Sequence, residues 1–170
     1  MGRLHSAKAH DVTLRALAKI PDAVLWIAGV GPLEGDLREL AHALGVADRV
    51  RWLGWRNDAG ALYRAADIVV FPSRVEPLGN VVIQAWAYGK PVIAAEAAGP
   101  KVLIREGEDG LLIPIDDVDH LTLAIQRLID DPALRDRIAA AGLNRASEVS
   151  KAAVLPQWEA LFDQLARERT

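Results

Sequence analysis

Short apolar runs stopped by glycine or proline, alternating with stretches of helical spacing, constrain this chain more than any other feature. Ala23 to Ala28 lies between Pro21 and Gly29, Arg49 to Leu53 ends at Gly54, and Ile68 to Phe71 ends at Pro72. Val92 to Ala95 and Leu111 to Ile113 follow the same pattern. Runs this short and this apolar read as strands buried on both faces. Between them, Asp11 to Ile20 carries apolar residues at Val12, Leu14, Leu17 and Ala18. Leu33, Leu37, Leu40 and Leu44 form a second stripe, with Glu34 and Asp36 in the first turn and Gly45 as its stop. Asp58 stands where it can cap a short helix through Leu62 and Ala66, and Val81 to Tyr88 reads as another helix. The expected fold is α/β, a Rossmann-like doubly wound parallel sheet with helices on both faces.

Beyond Ile113 the pattern turns helical. Asp116 or Asp117 can cap a helix through Leu121, Ile125, Leu128 and Ile129. Asp131-Pro132 opens a second, with Gly142 as its expected end. Val154, Leu155, Trp158, Leu161, Phe162 and Leu165 form a final stripe. With 170 residues, 51% of them hydrophobic, the chain reads as one domain, residues 1–170, whose C-terminal helices begin near 117.

In a parallel sheet, ligands bind beyond the carboxyl ends of the strands, so the loops after each run are where chemistry is expected. The stretch from Phe71 to Gly110 is the richest. A strand there enters a loop carrying Glu76, punctuated by Pro77 and Gly79, and a helix begins just beyond. A helix N-terminus exposes unpaired N–H groups and a partial positive charge, which suits an anion or a ring of hydroxyls. Glu76 would repel phosphate and so suits sugar hydroxyls; the plain alternative is a carboxylate capping its own helix. The first twenty residues hold Arg3, Lys8, Arg15 and Lys19 against one acid, Asp11, in a chain of net charge -3. Arg3 and Lys8 either grip a diphosphate or are solvated surface residues. Trp26 and Trp52 fall within strands and read as core. Trp55, in a loop, can stack on a base but reads better as a packing residue.

Other classes are disfavoured. The net acidic charge offers no general attraction for nucleic acid or anionic membranes. No apolar run approaches the ~20 residues of a membrane span. Zero cysteines fit a reducing compartment, and the histidines lack metal-ligand spacing. Gly29-Val30-Gly31 is an incomplete phosphate signal. The expectation is a cytoplasmic protein without metal or cofactor.

Taken together, the pieces resemble a known family. They are Gly2-Arg3-Leu4 with Lys8, Ala28-Gly29-Val30-Gly31-Pro32-Leu33, Arg49 to Gly54, Ala66-Asp67-Ile68, Phe71-Pro72-Ser73, Glu76-Pro77-Leu78-Gly79, Ala85 to Val92, and Asp109-Gly110-Leu111-Leu112. Their order is similar to the C-terminal, donor-binding half of retaining glycosyltransferases of the GT-B fold, family 4. The resemblance implies that Arg3 and Lys8 hold the donor diphosphate and stabilise it as it leaves, while Glu76 contacts the donor sugar. It places Gly79, Asn80 and Val81 amides on sugar and phosphate, Gln84 on the ribose, and the loop from Arg56 to Asp58 along the base.

Two departures stand out. Gln84 occupies the position of a second family glutamate, and a neutral amide is a weaker acceptor, so weaker donor binding is expected. Lys101 replaces another glutamate near the donor loop. The family also has a strand immediately before Gly2-Arg3-Leu4, central in its sheet, and an N-terminal acceptor domain. Without them a gap with exposed apolar edges is expected, open to self-association. The sequence therefore reads as the donor-binding half of a hexosyltransferase using a UDP- or GDP-sugar, inactive alone. The alternative is a non-catalytic nucleotide-sugar-binding subunit of a split two-chain transferase.

Overall fold

The computed structural model describes residues 1–168. Its strands are β1 (Leu25–Ala28), β2 (Val50–Gly54), β3 (Val69–Phe71), β4 (Val92–Ala95) and β5 (Leu111–Ile113). Its helices are α1 (His10–Leu17), α2 (Glu34–Ala43), α3 (Ala59–Ala65), α4 (Asn80–Ala87), α5 (Ala98–Leu103), α6 (Val118–Asp130), α7 (Pro132–Glu148) and α8 (Lys151–Arg167). All strand pairs are parallel, but they form two separate sheets, β1-β2 and β3-β4-β5. The expected doubly wound α/β architecture is present, with its sheet divided in two.

Around the three-stranded sheet the layering is complete. Ile93 and Ala95 of β4 face a cluster with Val12 and Ala16 of α1, Leu121, Ile125 and Leu128 of α6, and Leu134 and Ile138 of α7. Val92 and Ala94 face the opposite cluster, with Tyr63, Val82, Ala85 and Trp86. Alternation along a strand sends successive side chains to opposite layers, so β4 is apolar throughout and wholly buried. The two-stranded sheet packs on Leu14 and Leu17 of α1 and on Leu37 and Ala41 of α2. α1 thus contributes to both cores.

The seam between the sheets is only partly filled. Gly2 N–H donates to Ala28 O at 2.9 Å and Leu4 N–H to Val30 O at 3.1 Å, so this segment runs parallel to the end of β1. Gly31 permits the approach, because a Cβ there would meet Leu4 O at 2.4 Å. Upstream of that contact lies a small cleft lined by Met1, His10, Thr13, Trp26, Val70 and Ser73, among others. Here the sequence expectation of a gap in the sheet is met.

Several element readings need correction. Gly142 does not end a helix but lies inside α7, where a Cβ would come within 2.3 Å of the Trp86 ring. The glycine is there for close packing, and Trp86 is fully buried with Nε1 donating to Asp109 O at 2.7 Å. α5 had no counterpart in the sequence reading. Trp26 is not core: it is 43% exposed on the face of β1 beside the seam. Trp52 is half-buried, with the Arg38 guanidinium 4.7 Å above its ring. Arg49 is not a strand residue; its guanidinium donates to Leu17 O, Ile20 O and Ala23 O and so satisfies carbonyls where α1 ends. Of the two possible caps for α6, Asp117 is the one used, accepting from His120 N–H. The last stripe belongs to α8, which buries none of its described residues. The expected domain end at 170 lies outside the described residues.

Candidate functional site

The site assembles where the two sheets meet, at the carboxyl end of β3. The loop after β3 carries Glu76, and its backbone is held from the far side. Gly99 N–H of α5 donates to Glu76 O at 2.8 Å, and a Cβ on Gly99 would clash with the Leu78 backbone at 2.4 Å. Gly79, at φ 93, then turns the chain into α4. No side chain accepts from the first N–H groups of α4 itself, and Gly79 is buried, Val81 half-buried and Asn80 exposed.

Lys8 meets Glu76 there. Its Nζ donates to Glu76 Oε2 at 2.6 Å and lies 5.4 Å from the Phe71 ring centre. The second carboxylate oxygen accepts the Gly79 N–H at 3.2 Å. The pair is mostly shielded, with side-chain exposures of 27% for Lys8 and 14% for Glu76. Burial works to raise the Glu76 carboxyl, but the Lys8 hydrogen bond, the Gly79 N–H and the Lys8 charge outweigh it and hold it below the usual carboxylate range. Glu76 is therefore an anion neutralised by Lys8, and each is a ready partner for a ligand that separates them.

Other sequence-predicted residues lie in separate small groups. Arg3 is exposed, and its carbonyl lies 3.3 Å from His10 Nε2. Among the described residues its guanidinium makes no hydrogen bond or ion pair with the Lys8–Glu76 pair. Asp58 does not cap α3 as expected. Its carboxylate forks onto Arg56 instead, because a bidentate guanidinium offers it more than one amide does. Gln84 is exposed, and its Oε1 accepts from the Tyr63 hydroxyl at 2.9 Å. Burial first, then the neighbouring Tyr88, pushes the Tyr63 hydroxyl well up and holds it protonated. Tyr63 also stacks on Tyr88, with ring centres 5.5 Å apart. Trp55 is 79% exposed, which overturns the packing role expected for it. Lys101 adds no free cation near the loop, since it pairs with Glu96 at 3.2 Å.

Sequence reasoning missed the residues that hold the loop. Arg74 pairs with Asp11 and Asp116, and Tyr63 orients Gln84. Asp11 lies 63 residues from Arg74, so no local spacing could have announced that pair. Ser73 was noticed only as part of a motif; its hydroxyl is buried and finds no hydrogen-bond partner among the described residues.

The Glycosyl transferases group 1 family matches residues 1–145, and the chain belongs to that family. Two curated relatives come from Rhizobium meliloti. The lipopolysaccharide core biosynthesis glycosyltransferase LpsE is 39% identical over 142 residues, covering 84% of this chain and 42% of LpsE. The lipopolysaccharide core biosynthesis glycosyltransferase LpsD is 38% identical over 170 residues, covering 99% of this chain and 50% of LpsD. The chain thus spans about half the length of these relatives. Among solved structures, Anabaena HepE in complex with UDP-glucose superposes with a TM-score of 0.90 at 29% identity, covering 98% of this chain and 47% of HepE. The fold is accordingly that of the C-terminal, Rossmann-like half of GT-B glycosyltransferases.

Proposed function

We propose that residues 1–170 form the nucleotide-sugar-binding domain of a retaining, family 4 hexosyltransferase whose acceptor site lies outside them. The observation that carries this reading is the Lys8–Glu76 pair at the uncapped N-terminus of α4. A donor diphosphate draws Lys8 away, joined by Arg3, and Glu76 turns to the sugar hydroxyls. As the bond between anomeric carbon and diphosphate breaks, charge grows on the leaving group, and the two cations stabilise it. Gly79, Asn80 and Val81 offer amides to sugar and phosphate. Gln84 meets the ribose, and the Arg56–Asp58 loop lines the base.

The reading invokes no cofactor and takes the chain as cytoplasmic, which the absence of cysteine suits. Among the described residues no helix is long and apolar enough to cross a membrane. The UDP-glucose bound to HepE supports a nucleotide-diphosphate sugar as donor. Calorimetric titration with UDP-glucose against a GDP-sugar chooses the base. Lys8→Ala is expected to weaken the preferred donor about ten-fold or more, the worth of one charge-assisted hydrogen bond; unchanged affinity would show that the diphosphate lies elsewhere. The domain alone is expected to transfer no sugar. The open edges of β1 and β3 make self-pairing the expected behaviour at high concentration, read by sedimentation velocity.

A further inference from the structure

Lys8 sits in a single 3₁₀ turn, Ser6–Lys8, that buries none of its residues. A one-turn segment on the surface does not hold a long side chain at one place by itself. Something else keeps its ammonium beside a carboxylate 68 residues away.

Arg74, two residues before Glu76, makes those contacts. Its Nη1 donates to Ser6 O at 2.6 Å and to Asp11 Oδ1 at 3.1 Å, its Nη2 to Asp11 Oδ2 at 2.8 Å, and its Nε lies 2.6 Å from Asp116 Oδ1. The backbone adds Arg74 N–H to Ala7 O at 2.9 Å. One planar guanidinium thus ties the turn before α1, α1 itself and the β5–α6 loop to the loop bearing Glu76. Ala9, next to Lys8, and Asp116 are the two non-glycine residues with positive φ among those described, at 50° and 64°. Such backbone persists only where its surroundings over-determine it. By geometry the Arg74 donors are committed inward, to three neighbouring segments.

We propose that Arg74, clamped by Asp11 and Asp116, is a positioning residue that sets Lys8 against Glu76 and thereby shapes the anion grip. The proposal deepens the donor-binding reading and rests on it for its ligand, though not for its geometry. Lysine cannot substitute, because one ammonium cannot fork onto Asp11 and still reach Asp116 and Ser6 O.

The test is a ¹³C-carboxyl NMR titration of Glu76 in the unliganded full chain, comparing wild type with Asp11→Ala and Arg74→Lys. Removing the Asp11 carboxylate takes away a negative charge, so its direct field would lower the Glu76 titration. A loosened clamp releases Lys8 and raises it, by roughly half a pH unit or more. Arg74→Lys keeps the net charge and is expected to raise it too. An upward shift in either folded variant supports the clamp; a lowered or unmoved Glu76 in both overturns it. UDP-glucose calorimetry runs alongside, with about ten-fold weaker binding expected in both variants. Failure of wild type to bind UDP-glucose would remove the donor reading, while the Glu76 titration still decides the role of Arg74.

Discussion

The two half-sheets of this domain are built from similar strands and solve different problems. In β3-β4-β5 the central strand has neighbours on both sides and clusters on both faces, and all of β4 is buried. In β1-β2 the strand beside the seam has no full-length neighbour there, and Trp26 stands 43% exposed on it. One half is a finished core about β4, with only its β3 edge at the seam; the other is finished on the α2 side and open toward its twin. The candidate site draws on both, with Glu76 coming from the finished half and Lys8 from the segment that crosses the seam. The ion pair thus joins the two halves across the seam.

The largest effect expected of this contrast is on stability. Trp86→Ala removes a fully buried ring and leaves Asp109 O without its donor, so a loss of about 3–5 kcal/mol is expected. Trp26→Ala, on the open half, is expected to cost under about 1 kcal/mol. Urea denaturation of both variants measures the difference, and equal losses would erase the distinction between the halves.

The seam itself carries a pH signature. Burial first, then the positive Met1 amine and Lys8, lower His10 to about 4, against the opposing pull of Asp11 and the Arg3 carbonyl. A histidine lowered in the folded state favours folding fully above its unfolded value of 6.5, and that advantage is lost as pH falls toward 4. Stability is expected to drop by about 3 kcal/mol across that window. His10→Gln should flatten the profile, and an unchanged slope would place the titrating group elsewhere.

The smallest effect concerns Gln84, proposed to meet the ribose and held by the Tyr63 hydroxyl on the finished half. Gln84→Glu is expected to tighten UDP-glucose binding several-fold, since a carboxylate accepts from Tyr63 and keeps a charged oxygen for the ligand. Weaker binding would mean that this end of the cleft does not meet a diol.

Much of this was legible in the residues, and the failures have physical causes. β4 and β5 were readable because strands buried on both faces are continuously apolar. α5 was missed because Gly99-Pro100 is a helix-breaking signal when read locally, whereas Gly99 serves the close approach to Leu78. Gly142 was misread for the same reason, its partner Trp86 being remote in sequence. Trp26 was misread because exposure at a half-filled seam is a property of the assembled sheet. Lys8, Glu76 and Gly79 were each identifiable, but that the first two neutralise one another, and that Arg74 and Asp11 hold them there, depends on contacts 63 and 68 residues apart.

The central claim is that a nucleotide sugar binds across the seam, between the turn of Lys8 and the N-terminus of α4. Amide NMR of the full chain titrated with UDP-glucose tests it most directly. The expected result is saturable shifts at Lys8, Gly79, Asn80, Val81 and Gln84, with α8 unmoved. Shifts confined to α8, or none at saturating UDP-glucose, would contradict it.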